Sequence, residues 1–226
     1  MKRRLLLALT LALAAGFTAL GVWQVERRAW KLDLIARVEA RIHAPPVALP
    51  MNGDPRAEEY RRVRATGIFD HARETFVQAL TERGAGFWVL TPLRTSTGTV
   101  LVNRGFVPPD NRAPATRAAG QSEEPVTVTG LLRVSEPKGG FLRVNDPAQG
   151  RWYSRDVEAI ARARGLGPVA PFFVDAEGVA PGGYPVGGLT MVRFPNSHLI
   201  YALTWFGLAA MSLAGTALLL RRPGRG

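Results

Sequence analysis

Residues 5–22 read LLLALTLALAAGFTALGV and residues 199–220 read LIYALTWFGLAAMSLAGTALLL, and neither stretch contains Asp, Glu, Lys, Arg or His. As α-helices they would be about 27 and 33 Å long, close to the roughly 30 Å hydrocarbon core of a bilayer. All 18 acidic residues of the 226-residue chain lie between them. The sequence therefore predicts a membrane protein with two transmembrane helices, at 5–22 and 199–220, that flank one external domain.

Basic residues flank both stretches on their outer sides and supply more than half of the net charge of +11. They are Lys2, Arg3, Arg4, Arg221, Arg222 and Arg225. Clusters of this kind orient membrane helices with the basic ends in the cytoplasm. We therefore expect residues 1–4 and 221–226 to be cytoplasmic and residues 23–198 to lie outside, and we expect no nucleic-acid partner.

The first stretch also resembles a signal peptide, with a basic start and the small residues Ala19 and Gly21. A signal peptide has an apolar core of about 7–15 residues, which is shorter than this run, and helical sequence continues beyond it. We therefore expect a retained anchor, and the four-residue tail before it leaves no room for an organelle presequence. The sequence predicts a multi-pass protein of the bacterial inner (plasma) membrane whose central domain is periplasmic.

An amphipathic helix follows the first stretch. Its apolar residues recur at three- or four-residue spacing among charges, and they are Leu32, Ile35, Val38 and Ile42. Pro45 and Pro46 end the pattern. The membrane helix is thus predicted to continue as a stalk, with Trp23 and Trp30 near the interface, where indole rings prefer to lie.

Beyond the prolines the pattern changes to six short extended runs bounded by Gly, Pro, Asn or Asp. The runs are residues 63–69, 75–80, 87–93, 99–107, 126–134 and 172–175. One helix, at 156–164, interrupts them and has Val157, Ile160 and Ala161 on one face. These patterns predict an α+β domain with a mainly antiparallel sheet or barrel and one packed helix.

The search for catalytic chemistry gives no candidate nucleophile or base. The chain has no cysteine, which excludes disulfides, cysteine-ligated metals and thiol catalysis. It also lacks the GxSxG, Walker, HExxH and EF-hand motifs. We therefore expect a protein that is not an enzyme.

Two of the three histidines have structural interpretations. His43 closes the stalk helix, where an imidazolium suits the negative end of the helix dipole. His71 lies in a predicted turn near Asp70 and Glu74, where a structural role is favoured over ligation.

The third histidine, His198, stands at the start of the second membrane helix. A neutral imidazole there could give an axial nitrogen to a haem iron, and the guanidinium of Arg193 could pair with a propionate. Alternatively, His198 lies at the interface and Asn196 or Ser197 caps the helix. The residues alone leave both interpretations open.

A stripe of small, hydroxyl and aromatic side chains runs along the same helix. Its members are His198, Tyr201, Ala202, Trp205, Ala209, Ser212 and Thr216. Tyr201 and Trp205 could cover a porphyrin beside the histidine. Alternatively, the stripe is a packing seam against Thr10, Ala14 and Thr18 of the first helix.

Six blocks of sequence stand out in order along nearly the whole chain. They are LGVWQVERRAWK (20–31), GIFDHARE (67–74), VLVNRGFVP (100–108), EP (136–137), WYSRD (152–156) and RFPNSHLIYALTW (193–205). Together they resemble the signatures of the surfeit-locus (Surf/Shy) cytochrome c oxidase assembly proteins. Phe106 stands where that family usually has Trp, and Ser197 where it often has Asn.

The resemblance implies an assembly factor or chaperone for haem–copper cytochrome c oxidase that handles haem a transiently. Its implied partners are the catalytic subunit of the oxidase, the haem a synthase and the lipid bilayer. The implied haem-site residues are His198, as the iron ligand, with Arg193, Tyr201 and Trp205. The implied partner-binding residues are Trp23, Gln24, Arg27 and Trp30.

Two other functions stay open. The chain could be a scaffold that holds nascent oxidase subunits without binding haem, or a subunit of a haem-modifying membrane enzyme. The second function would need further membrane histidines, which this chain lacks. Only a haem-binding protein should carry a Soret band when purified.

Overall fold

The computed structural model describes residues 2–140, 142–190 and 194–221. The chain divides into two compact units. A helical unit comprises Met1–Glu39 and Val192–Gly226, and a β-rich unit comprises Ala40–Met191.

Two long helices dominate the helical unit, α1 at Lys2–His43 and α3 at His198–Arg221. Both are long and apolar enough to cross a membrane. Many of their large apolar side chains are exposed, including Leu5 at 64% and Leu218 at 62%. This is consistent with a membrane protein, because lipid would cover these side chains. The prediction that the first apolar stretch and the amphipathic segment form one helix is confirmed.

The β-rich unit contains seven described strands and one α-helix. The strands are β1 Val47–Ala48, β2 Arg62–Phe69, β3 Thr75–Thr81, β4 Gly84–Thr95, β5 Gly98–Val107, β6 Val126–Val134 and β7 Val169–Ala176. The helix is α2 at Val157–Ala163, with the Asp156 side chain accepting from the Ala159 N–H at its start. All six predicted strands and the predicted helix are present, and the two-residue β1 is an addition.

The sheet closes into a barrel. The strand order is β1-β2-β6-β7-β5-β4-β3, and a further pairing of β2 with β4 joins five strands in a ring. The closure pairs Gly67 with Thr95 and Phe69 with Leu93. Gly67 permits this close approach, since a Cβ there would lie 2.3 Å from the Arg94 carbonyl oxygen. Only β5–β7 and β1–β2 pair in parallel among the described strands, so the mainly antiparallel prediction is confirmed.

Two apolar clusters occupy the two faces of the barrel wall. The five ring strands all contribute to an inner cluster, for example through Val102 and Phe172. The outer cluster contains Leu101 and Phe173, which alternate with them along the same strands. Helix α2 covers the outer cluster with Ile160, as predicted.

Candidate functional site

Helices α1 and α3 pack along a seam whose positions recur every three or four residues. The buried or half-buried positions of α1 up to residue 24 are Leu7, Thr10, Ala14, Phe17, Gly21 and Gln24. Those of α3 are His198, Ala202, Trp205, Leu208, Ala209, Ser212, Gly215, Thr216 and Leu219. This spacing is typical of helix pairs that pack at a shallow angle.

Most of the predicted stripe lies in this seam. The Thr216 hydroxyl donates to the Thr10 hydroxyl at 2.8 Å, and Ala14 is buried, as the seam interpretation predicts. Tyr201 is 55% exposed and lies off the seam. Thr18 is exposed as well, and its hydroxyl donates to the Ala14 carbonyl within its own helix. The prediction that Thr18 belongs to the seam is therefore wrong.

Aromatic side chains fill the middle of the seam. The rings of Phe17 and Trp205 stack with centroids 5.7 Å apart and an interplanar angle of 23°. The Phe206 ring covers Gly21, where a Cβ would lie only 2.6 Å from a ring carbon. The Trp205 indole is thus used for helix packing, and Gly21 lets the two helices approach.

The end of the seam at Gln24 holds His198, the candidate haem ligand. His198 is the first residue of α3, and its Nδ1 lies 2.7 Å from Oε1 of Gln24. Because an amide oxygen can only accept, this contact requires a hydrogen on Nδ1, and a neutral imidazole with that hydrogen has its lone pair on Nε2. Among the described residues, nothing forms a hydrogen bond with Nε2 of His198. In a neutral imidazole this geometry leaves Nε2 as the ring nitrogen available to a ligand.

The residues that precede His198 give two further observations. The Tyr201 N–H donates to the Ser197 carbonyl at 3.3 Å in the first turn of α3. The Oδ1 atom of Asn196 is buried and has no hydrogen-bond partner within the described residues, so a cap through this atom is not observed. Arg193, predicted to pair with a propionate, lies outside the described residues.

The remaining predicted partner-binding residues lie on the outer surface of α1. Trp23 is 51% and Trp30 is 47% exposed, and the Arg27 guanidinium carbon lies 4.2 Å from the Trp30 ring centroid. Gln24 differs from them, because it is only 9% exposed and faces α3. The block at residues 20–31 therefore has an exposed aromatic face and a seam face.

His71 belongs to a buried ion network in the β-rich unit. It lies in a 3₁₀ helix between β2 and β3, with Nε2 2.9 Å from the Ser122 carbonyl oxygen. Its Nδ1 lies 3.2 Å from Nη1 of Arg104 and 3.5 Å from Oε1 of Glu74. Both ring nitrogens are therefore engaged, in agreement with the structural role predicted for this histidine.

Glu74 is the centre of that network. Its side chain is 3% exposed, and it accepts from Arg104 at 2.9 Å and from Arg117 at 2.6 Å. Burial alone raises the pKa of the Glu74 carboxyl, but its contacts with His71, Arg117 and Arg104 outweigh burial and lower the pKa to about 2. The carboxylate stays ionised and holds β3, β5 and the Pro114–Gly120 segment together.

Asp175 is the centre of a second network. It accepts from Asn103 at 2.7 Å, and from Arg133 and Arg155 at 3.1 Å each. Burial lowers the pKa of Arg155, but the charges of Asp175 and Glu136 raise it by more. The network joins β5, β6 and β7 at one side of the barrel.

Sequence reasoning assigned no role to either network. The signal was nevertheless present in β5, where Asn103 and Arg104 interrupt an apolar run whose positions 100–107 are all buried. A charge inside a buried strand requires an opposite charge nearby. The counter-charge of Arg104 is Glu74, 30 positions earlier in the chain, and the folded sheet brings the two together.

Comparisons with known proteins cover most of the chain. The family model described as the SURF1 family matches residues 11–210. Surfeit locus protein 1 of Homo sapiens is 42% identical over 214 residues, which cover 84% of this chain and 69% of that protein. A SURF1-like protein of Monosiga brevicollis is 41% identical over 219 residues (91% and 84%), and one of Caenorhabditis briggsae is 34% identical over 232 residues (91% and 72%). The matched range includes the β-rich unit and both Gln24 and His198.

Proposed function

This chain belongs to the SURF1 family, and we propose that it is an assembly factor for haem–copper cytochrome c oxidase that carries haem a to the catalytic subunit. Haem a is then a transient cargo, and the chain catalyses no covalent step.

The contact between His198 and Gln24 is the observation that supports haem as the cargo. A metal-binding imidazole needs one nitrogen with a free lone pair and usually donates its other N–H to a fixed acceptor. His198 meets both conditions, because Nδ1 lies 2.7 Å from the Gln24 amide oxygen and Nε2 makes no hydrogen bond within the described residues. We assign Nε2 of His198 as the iron ligand.

The three residues that follow His198 in α3 have exposed side chains. Leu199 is 49% exposed, Ile200 is 69% exposed and Tyr201 is 55% exposed. These side chains could lie against a porphyrin without disturbing the packing of α1 against α3, because they do not belong to the seam. Trp205 serves the helix pair in our proposal, and Tyr201 is the aromatic side chain that faces the cargo.

A single axial histidine suits a carrier better than a storage site. Iron held by one protein nitrogen keeps a coordination position open for an incoming ligand. A histidine of the oxidase subunit could bind at that position before His198 dissociates from the iron. Transfer would then proceed without free haem a.

We place both long helices in the bacterial inner membrane with the basic ends in the cytoplasm and the β-rich unit in the periplasm. Two helices of sufficient length and apolarity support this arrangement. His198 would then lie near the outer membrane surface. We further propose that the first helix is retained and not cleaved.

The exposed face of α1 supports a second candidate function. Trp23, Arg27 and Trp30 offer aromatic and cationic groups to a partner, which would suit a scaffold that grips nascent oxidase subunits. Such a scaffold needs no haem.

Haem occupancy distinguishes the two functions. The full chain is purified in detergent from cells with and without an active haem a synthase, and its Soret band and extracted haem are measured. We expect haem a only with the synthase present. A chain that purifies without haem, yet still associates with oxidase subunits, would exclude the carrier and favour the scaffold.

A further inference from the structure

We propose that Gln24 is the positioning residue of His198: its amide oxygen holds the imidazole in the Nδ1–H tautomer and presents Nε2 to the cargo iron. The identity of the cargo rests on the proposed function, whereas the tautomer does not. The two side chains come from opposite ends of the chain, 174 positions apart.

Packing holds the Gln24 side chain in place. Gln24 is 9% exposed and lies one helical turn after Gly21. At Gly21 the Phe206 ring occupies the space that a side chain would fill. The two helices are therefore close at this level, and the amide spans the remaining gap to His198. A buried amide between two packed helices has few alternative rotamers, so its oxygen is a fixed acceptor.

The neutral amide also determines how strongly the imidazole binds. A carboxylate in the same place would accept the Nδ1 hydrogen more strongly than an amide does. It would thereby make Nε2 a stronger electron-pair donor to the metal, as in carboxylate–histidine–metal triads. An amide orients the ring without that increase in basicity. We infer that Gln24 favours a bond to iron that is correctly directed but weak enough to be exchanged.

A purely structural role for Gln24 makes a different prediction. The seam contains a second hydrogen bond between side chains of α1 and α3, from Thr216 to Thr10 at 2.8 Å. If the Gln24 bond only joined the helices, loss of either bond would have the same effects. Thr10→Val is therefore the matched control for Gln24→Leu.

The tautomer is measured first, without any haem. The chain has only three histidines, so ¹⁵N-histidine labelling of the full protein in detergent gives three resolvable ring systems, with His198 assigned from the His198→Ala spectrum. We expect the Nδ1–H tautomer for His198 in the wild type and in Thr10→Val. Gln24→Leu should show a mixture of tautomers or the Nε2–H form.

Haem affinity and potential are measured next, with hemin as the probe. Gln24→Leu should weaken hemin binding about 10- to 100-fold, the usual effect of losing a residue that orients a metal ligand. Thr10→Val should bind like the wild type. Gln24→Glu keeps the acceptor, so it should bind hemin and lower the reduction potential of the bound iron.

The outcomes separate the two proposals. If Gln24→Leu keeps both the wild-type tautomer and the wild-type hemin affinity, Gln24 does not position His198. This conclusion holds whether or not the protein carries haem in cells. If the wild type binds no haem, the carrier proposal fails while the tautomer spectra still decide the role of Gln24. If Gln24→Leu does not fold, the unchanged potential of a folded Gln24→Glu would overturn the inference.

Discussion

The amide oxygen of Gln24 lies 2.7 Å from Nδ1 of His198, so the first and the last of the six sequence blocks meet in one hydrogen bond between α1 and α3. In the sequence these blocks had separate implied roles, one in partner binding and one in haem binding. Their contact means that a change on α1 can alter the ring of the candidate ligand.

Replacing His198 by Ala should abolish or strongly shift the haem spectrum of the purified protein, because it removes the proposed axial nitrogen. The helix should still insert, since one half-buried side chain at its start contributes little to packing. His71→Ala is the control, because both of its ring nitrogens are engaged within the β-rich unit. If His71→Ala loses the Soret band and His198→Ala retains it, the ligand is assigned to the wrong histidine.

Replacing Trp23 and Arg27 together should weaken association with oxidase subunits by removing an exposed indole and a cation from α1. Membrane insertion should be unchanged because residues 5–22 are intact. Co-purification of tagged subunits and extraction from membranes measure the two effects. Degradation of the double variant in cells would show that these residues serve stability instead.

The sequence predicted the elements of the fold well because each carries its own local pattern. The 126–134 run and the Val157–Ile160–Ala161 face are visible as alternation and helical spacing, and both agree with the structure. The sequence predicted a sheet or a barrel without deciding between them, because closure depends on the pairing of Gly67 with Thr95 between distant strands. The contact of Gln24, an implied partner-binding residue, with His198 was likewise not predictable, since it depends on how α1 and α3 pack.

Replacing Gly21 by Leu should separate the helix pair, because even a Cβ there would lie 2.6 Å from the Phe206 ring. We expect a lower melting temperature in detergent and a disturbed His198 tautomer. Gly16→Leu is the matched control on the same helix, since its Cβ would meet nothing within 4 Å. Equal behaviour of the two variants would contradict close packing at Gly21.

Reporter fusions should test the membrane arrangement. A reporter fused after residue 226 should behave as cytoplasmic, because basic residues flank both apolar stretches on that side. A reporter inserted after Gly150, in an exposed turn, should behave as periplasmic. The 113–120 segment is unsuitable for the insertion, because it carries Arg117, whose side chain is fully buried against Glu74. The reverse pattern of reporter activity would overturn the proposed orientation.

Replacing Glu74 by Gln should destabilise the β-rich unit by about 3–5 kcal/mol, because it leaves Arg104 and Arg117 buried without their counter-charge. Glu158→Gln is the control: Glu158 pairs with Arg162 at 2.5 Å, but both side chains are at least 75% exposed, and such pairs contribute about 0–1 kcal/mol. Amide hydrogen exchange of β3 and β5 in the full protein measures both. Similar exchange rates in the two variants would show that the buried network does not stabilise the barrel.

The same carboxylate predicts how stability depends on pH. The pKa of Glu74 is lowered to about 2 in the folded chain, whereas an unfolded Glu titrates near 4.5. A group with a lowered folded pKa stabilises the native state fully above its unfolded pKa and loses that contribution as the pH falls toward its folded pKa. Exchange from β3 and β5 should therefore accelerate in the wild type between about pH 5 and 2, after correction for intrinsic rates. In Glu74→Gln this part of the pH dependence should disappear, because the amide does not titrate; an unchanged pH profile in that variant would assign the acid sensitivity to other carboxylates.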